Sequence, residues 1–489
     1  MSFKLFTTIF FIFLNVGPSY GQIIGNLNTQ AVSELDAVQL PSGTFISASM
    51  EFVPELNIGY RVLIHRSIDN GYNWTLVKSI EMDKTYYAIG DPILTLDNEG
   101  IPHLLMMDYL ISGYFIIHLT LYDSYDDGQT WQFKSRPFSE PHFADTPDLI
   151  FDENNNMLIS YTEYFHASGF FTPNDIHFIK SVDNGTSWSE PIEFQSTQSS
   201  GVVGASLSLS KDEQINLVYG DHNENYTFYS SSNDGGSTWS NIYEFSNTIA
   251  FAINKIVSHP KRENLCILTH EAHEATSGIH FNYSIDNGLN WESYRLVDNA
   301  SMAEGLMEEN GVIHLTYNQI IGTEFSLNYI YSTNGGTSFS TPIPLFHGEI
   351  FQNPLPQDLL AITGESQSML MGQDNMLHMT FIDWSDGTKA KHLIFEPFNF
   401  LSSSENNSED IAEISLFPNP TQDYLNITLE NSSKFSNWSI HSMDGAMVSD
   451  GLIRDENLQS INLSYLENGS YFIRFYSENT ILVKMFMKV

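Results

Sequence analysis

Seven hydrogen-bond-accepting residues recur at one place in a repeated apolar pattern: Glu51, Asp108, Glu163, Asp221, Glu271, Asn318 and Asp383. All but Asn318 carry a carboxyl group. Rings stand next to them in Tyr109, Tyr164, His222, His270, His273 and Trp384, while Asp91, His142, Asp145 and His166 fall on neighbouring segments that read as loops. Carboxylates accept hydrogen bonds from hydroxyls and cations, and aromatic faces stack on sugar rings. The set therefore describes an acidic, aromatic-rimmed face suited to a sugar or another neutral to cationic ligand. Repeats copied from one ancestor would also inherit a common rim residue, so the column has a purely structural reading too. Two facing carboxylates could serve as acid and base, with Asp108, Glu163, Asp221 and Glu271 as the candidate catalytic residues. Glycosidic cleavage would need them roughly 5 to 5.5 Å apart for retention, or roughly 6.5 to 9.5 Å apart for inversion. His270-Glu271-Ala272-His273-Glu274 has metal-ligand residue types without the HExxH spacing or the helix that motif requires, which excludes zinc-peptidase chemistry. No cofactor is expected, with calcium the one ion these carboxylates could hold.

Each member of the column ends the second of two apolar strands joined by a polar turn. These hairpin patterns span 37–52, 92–109, 147–164, 205–222, 255–272, 304–319 and 368–384. Helical periodicity is nearly absent. Six of the hairpins are followed by Ser-x-Asp-x-Gly-x-x-Trp, seen in Ser67 to Trp74, Ser124 to Trp131, Ser181 to Trp188, Ser232 to Trp239 and Ser284 to Trp291. The sixth copy, Ser332 to Phe339, has Asn334 and Phe339 in place of Asp and Trp. Positions 69, 126, 183, 234, 286 and 334 lie 48 to 57 residues apart, about one four-stranded repeat unit. Within each copy the Asp can accept N–H bonds of its own turn, Gly supplies a positive φ, and Trp is a large apolar anchor. Asp69, Asp126, Asp183, Asp234, Asp286 and Asn334, with Trp74, Trp131, Trp188, Trp239, Trp291 and Phe339, are thus read as structural.

The repeated motif resembles the Asp-box, or BNR repeat, of the sialidase-like β-propellers. The resemblance implies an all-β propeller in which the boxes lie away from the active face, and it fixes no activity. Seven hairpins against six boxes favour seven blades, the last closed by an extended segment near Gln22 to Leu27; six blades, as in the sialidases, is the alternative. A sialidase would also need an arginine triad gripping the substrate carboxylate. The propeller region holds Arg61, Arg66, Arg136, Arg262 and Arg295, all next to boxes or in turns, and none maps to the expected ligand face. A sialidase is therefore disfavoured. Two readings remain: a non-catalytic binding propeller, and a glycosidase or lyase of another kind.

Residues 1–21 carry Lys4, an apolar run from Leu5 to Leu14 and the small-x-small ending Ser19-Tyr20-Gly21, which reads as a cleaved signal peptide. No transmembrane segment is expected. Cys266 is the single cysteine, so neither a disulfide framework nor a thiolate metal site can form within the chain. The formal charge is -39, from 20 Lys and Arg against 59 Asp and Glu, which makes nucleic acid a poor partner. The propeller is assigned to 22–398, followed by a polar linker at 399–413 around Ser402-Ser403-Ser404-Glu405. Residues 414–489 alternate short apolar strands with turns, as a small β-sandwich does. Their start, Leu416-Phe417-Pro418-Asn419-Pro420, and their end, Leu466-Glu467-Asn468-Gly469-Ser470-Tyr471, resemble the C-terminal sorting domain of type IX secretion cargo of Bacteroidetes. That resemblance implies export to the cell surface or the medium, with the type IX machinery as partner. The mature protein is expected to be a monomer.

Overall fold

The computed structural model describes residues 22–27, 32–53, 59–80, 86–111, 115–138, 143–167, 170–195, 201–221, 226–246, 250–271, 278–321, 324–349, 367–383, 389–395, 397 and most of 414–488. The expected signal peptide and linker, and His142, His222, His273 and Trp384, lie outside these residues. So do the side chains of Tyr109, His166 and Glu271. The chain divides into two compact units, Met1–Phe398 and Asn399–Val489.

The first unit holds seven four-stranded antiparallel sheets among the described residues, the first six each built from four consecutive strands. Sheet 1 comprises Val32–Gln39, Phe45–Val53, Gly59–Ser67 and Thr75–Ile80. Sheet 2 comprises Tyr86–Leu96, Pro102–Ile111, Phe115–Asp123 and Gln132–Ser135. Sheet 3 follows with Ala144–Phe151, Met157–Ala167, Phe170–Ser181 and Ile192–Phe194. Sheets 4, 5 and 6 begin at Val202–Leu209, Ala250–Ser258 and Ala300–Met307. Sheet 7 takes Gln367–Met371, Leu377–Asp383 and Lys389–Phe395 from one end of the unit and Gln22–Asn26 from the other. Gln22 pairs with Ile394 and Asn26 with Lys391, so the outer strand of sheet 7 is supplied from the N-terminal side, as the sequence suggests. The first strands adjoin in cyclic order, sheet 1 through sheet 7 and back to sheet 1.

Apolar side chains fill the seam between each pair of neighbouring sheets. Leu105, Met107, Leu119 and Leu121 of sheet 2 meet Leu149, Ile159, Tyr161 and Ile179 of sheet 3. Comparable clusters occupy the other seams. Central strands flanked on both faces are buried throughout, as in Ile215–Asp221, which hides the alternation a half-buried strand would show.

The box turns share their serine and aspartate (or Asn334) contacts, and the indoles of Trp74, Trp131, Trp239 and Trp291 add a bond that Trp188 lacks. Ser67 Oγ accepts the Gly71 N–H at 2.9 Å, Asp69 Oδ1 accepts the Asn73 N–H at 2.9 Å, and the Trp74 indole donates to the Gly71 carbonyl at 2.8 Å. The same three contacts recur at Ser232, Asp234 and Trp239. Each box aromatic packs on the preceding sheet: Trp239 on Phe178 at 5.0 Å, Trp291 on Tyr229 at 5.0 Å, and Phe339 on Phe281 at 5.0 Å. Gly236 has φ +89°, and a Cβ there would overlap the Phe178 ring. The motif is therefore a seam filler as well as a turn.

Polar stitches between first strands accompany the apolar seams. Asp36 Oδ2 accepts the Leu94 N–H at 2.8 Å, Asp148 Oδ2 accepts the Leu207 N–H at 2.7 Å, and Ser368 Oγ donates to the Ala37 carbonyl at 3.2 Å. In the second unit, a three-stranded and a four-stranded sheet enclose one core that includes Leu425, Trp438, Ile440, Ile461, Ile473 and Phe475.

Candidate functional site

The second strands of sheets 1 to 7 begin at Phe45, Pro102, Met157, Ile215, Leu265, Ile313 and Leu377. Glu51, Asp108, Glu163, Asp221, Glu271 and Asp383 are each the seventh residue of their strand. Asn318 is the sixth, and Gln319 takes the seventh place. Side chains alternate across a strand, so Asn318 faces the other side of its sheet from the rest of the column, a correction to its place in the candidate set.

Three column members are enclosed by their own sheets. Glu51 is 2% exposed and receives Arg61 Nε at 2.5 Å. Asp108, wholly buried, accepts Thr120 Oγ1 at 2.8 Å and Arg136 Nη2 at 2.7 Å. Asp383, equally buried, meets the Lys391 ammonium. A buried carboxylate needs a partner to offset its lost hydration, and in each case a cation from a later strand of the same sheet supplies it. These three therefore act as structural ion pairs in place of the ligand contacts expected of them. Asp221 is also wholly buried, and Glu163 is half-buried beside Asp175.

A different group converges on the first strands of sheets 1 to 3, with Glu34 and Asp145 near two strand starts and Asp91 midway along Tyr86–Leu96. Glu34 Oε2 accepts the Asp91 N–H at 2.6 Å, across the seam from sheet 1 to sheet 2. Asp145 of sheet 3 acts on Glu34 through its charge and is hydrogen-bonded by the Tyr164 phenol of the neighbouring strand. Bulges place these groups. Pairing shifts between Val32 and Glu34, between Gly90 and Ile93, and between Asp145 and Asp148. Asp91 and Thr146 have φ of 44° and 45°, each followed by a proline, Pro92 and Pro147. An extra residue in a strand bends it and re-aims the side chains beside it. A Cβ at Gly90 would lie 3.4 Å from Glu34 Oε2, from Met50 Sδ and from Met107 Cε, so the carboxyl and two thioethers gather around this glycine.

The electrostatics follow from that enclosure. Desolvation pushes the Glu34 carboxyl up to about 7, the Asp145 charge adds to the rise, and hydrogen bonds from the Asp91 backbone and side chain oppose it. Burial likewise raises Asp145. The Tyr164 phenol is raised by burial and by Asp145, which keeps it a donor. Glu34, Asp145 and Tyr164 each retain some accessible surface, while Asp91 is 6% exposed. The group can store a proton near neutrality and accept hydrogen bonds through Asp145 and through the Tyr164 oxygen, whose own proton is given to Asp145. Among the described residues, no group of three or more His, Cys, Asp or Glu is arranged to hold a metal ion.

Sequence reading named Asp91 and Asp145 as loop residues, whereas both lie within first strands. Glu34 was missed because it precedes the first hairpin pattern and breaks no periodicity. The traceable signal is Asp-Pro and Asp-Thr-Pro at the heads of two first strands, where proline favours a bulge over a regular ladder.

Residues 415–488 match the family model of the secretion system C-terminal sorting domain. The C-terminal module is a type IX sorting domain. It directs the chain out of the cell, to the surface or the extracellular space. No helix among the described residues is long and apolar enough to cross a membrane. No curated protein matches the chain. Among solved structures, a protein of unknown function from Dyadobacter fermentans DSM 18053 is 12% identical with TM-score 0.45, over 62% of this chain and 96% of that one. The Hadza microbial sialidase Hz136 is 13% identical with TM-score 0.47, over 74% of each chain. A PL25 ulvan lyase bound to a glucuronate–rhamnose sulfate unit is 13% identical with TM-score 0.49, over 77% of this chain and 96% of that one. Likenesses this distant carry no functional argument.

Proposed function

We propose that the first unit is a seven-bladed Asp-box β-propeller, exported by the type IX route, that engages an extracellular glycan of neutral to cationic character. The binding mouth lies on the first strands of sheets 1 to 3. The convergence of Glu34, Asp91, Asp145 and Tyr164 from three adjacent sheets carries this reading, because a cluster of hydrogen-bond acceptors matches the hydroxyl groups of a sugar. The three carboxyl groups favour ligands that bring donors or positive charge and disfavour sialate and other anionic sugars.

A second reading, glycoside cleavage by hydrolysis or elimination, draws on one observation: the Glu34 carboxyl, at about 7, still holds a proton near neutral pH. In hydrolysis Glu34 would protonate the leaving oxygen as the glycosidic C–O bond breaks. Water would add to the anomeric carbon and give its proton to Asp145.

The test is a polysaccharide and glycan-array screen of the purified chain, with each hit assayed for released reducing ends and for unsaturated ends. Binding that falls at least tenfold in Asp145→Asn supports the mouth. Product release that is lost in Glu34→Gln while binding persists selects the enzyme. Failure to bind any neutral or amino sugar polymer, or binding indifferent to both substitutions, overturns the proposal.

A further inference from the structure

The seam between sheets 1 and 2 is held at its mouth end by a hydrogen bond whose acceptor is itself titratable. Glu34 Oε2 takes the Asp91 N–H at 2.6 Å, and the two side chains also hydrogen-bond to each other. The next stitch, from Asp36 Oδ2 to the Leu94 N–H at 2.8 Å, lies deeper along the same strands. Described groups from three sheets surround the Glu34 carboxyl. Sheet 2 presents Asp91 from its first strand and Met107 from its second, and sheet 1 presents Met50. Sheet 3 presents Asp145, backed by Tyr164. Among the described residues, the groups acting on the carboxyl include two acids, a phenol behind one of them and a backbone amide, with two thioethers near by.

We propose that Glu34 is a proton-operated latch between sheets 1 and 2. With its proton, Glu34 bridges to Asp91 as acceptor of the N–H and as partner of the carboxyl, and the mouth is closed. Without it, Glu34 is an anion shut away from water with the Asp145 charge near by; the gain in hydration on opening outweighs the Asp91 hydrogen bonds that favour the anion, and the first strand of sheet 2 is released at Asp91. The bulge at Gly90-Asp91-Pro92 makes this the place that can move, since strand pairing is interrupted between Gly90 and Ile93.

The direction of the pH effect follows from linkage. Closed, Glu34 titrates at about 7; released into water it returns to its ordinary 4.5. The closed form therefore binds more protons between these values, and its advantage is complete below 4.5 and is lost as pH climbs to about 7. Local opening should rise about tenfold per pH unit across that window, a total on the order of 300-fold, and stay level above it.

The experiment is hydrogen exchange with mass spectrometry on the full chain from pH 4 to 9, each rate divided by its intrinsic value. Peptides covering 86–96 report the latch, and those covering 202–209 and 250–258 serve as internal controls. The expected result is opening in 86–96 that rises between pH 4.5 and 7 and then levels, with flat controls. Glu34→Gln, whose amide oxygen accepts the same N–H at every pH, should flatten the profile. Asp145→Asn, which removes one facing charge, should move the plateau to lower pH and serves if Glu34→Gln does not fold. A flat wild-type profile, or a slope that survives in Glu34→Gln, overturns the latch. The readout needs no glycan, so it stands or falls apart from the proposed function.

Discussion

Replacing Arg136 by Met separates a structural column from a ligand-binding one. Asp108 has no exposed surface and keeps two polar contacts, Thr120 Oγ1 at 2.8 Å and Arg136 Nη2 at 2.7 Å. Removing the guanidinium leaves a buried carboxylate with the threonine hydroxyl alone, and breaking such a pair from one side typically costs about 3–5 kcal/mol. The low end, about 3 kcal/mol, applies here because Arg136 is 35% exposed, so water can enter part of its place. Asp108→Asn keeps an acceptor for Thr120 and frees a cation that water already reaches, so it should cost only about 1–2 kcal/mol. The asymmetry is the test. Urea unfolding followed by tryptophan fluorescence suits it, because Trp74, Trp131, Trp188, Trp239 and Trp291 all sit in box turns and only Trp438 belongs to the C-terminal unit. If Arg136→Met costs less than about 1 kcal/mol, or Asp108→Asn costs more than Arg136→Met, the carboxylate is not held as argued. Loss of glycan binding at unchanged stability would return Asp108 to the ligand face.

Deleting residues 22–27 strips the outer strand from sheet 7 and bares the Lys389–Phe395 edge; light scattering should then show concentration-dependent association together with a lower melting temperature. An unchanged monomer would show that the ring does not depend on this closure. Gly236→Ala forces a Cβ into the Phe178 ring at φ +89°, which should cost about 2–4 kcal/mol in denaturant unfolding, whereas a cost near zero would mean the turn relaxes freely. Burial, helped by the neighbouring His378, holds His392 down to about 3, so the unfolded chain takes up that proton from about 6.5 downward while the fold resists it. Stability should therefore fall as pH drops from about 6.5 toward 3, by up to about 1.4 kcal/mol per unit from this group, with His65 at about 4 adding in the same direction. His392→Gln should flatten the acid limb of a stability profile, and an unaltered limb would refute the assignment.

Much of the architecture was legible because repetition is a local property. Each box carries its turn within eight residues: a serine and an aspartate that satisfy their own amides, a glycine at positive φ, and an aromatic anchor. The hairpins between boxes announce their strands by apolar runs and polar turns. The N-terminal closing strand was legible by counting, since seven hairpins and six boxes leave one sheet short of a strand. The column of acids was legible as a column, but its meaning was not. Arg61 and Glu51 are ten residues apart, Asp108 and Arg136 twenty-eight, and only strand pairing shows that each carboxylate points at a cation of its own sheet. The slip at Asn318 has the same origin, since a one-residue error in strand phase reverses the face.

The sequence by itself determined the repeat, the all-β class, the turn chemistry and the C-terminal sorting domain, because these depend on contacts within a few residues or on a motif read whole. Only the tertiary structure decided which acids are satisfied and which meet one another. Glu34, Asp91 and Asp145 are 57 and 54 residues apart in sequence, and the ring of first strands brings them together. Their protonation follows from desolvation and from neighbouring charge, and both are properties of the packed seam that no local pattern encodes.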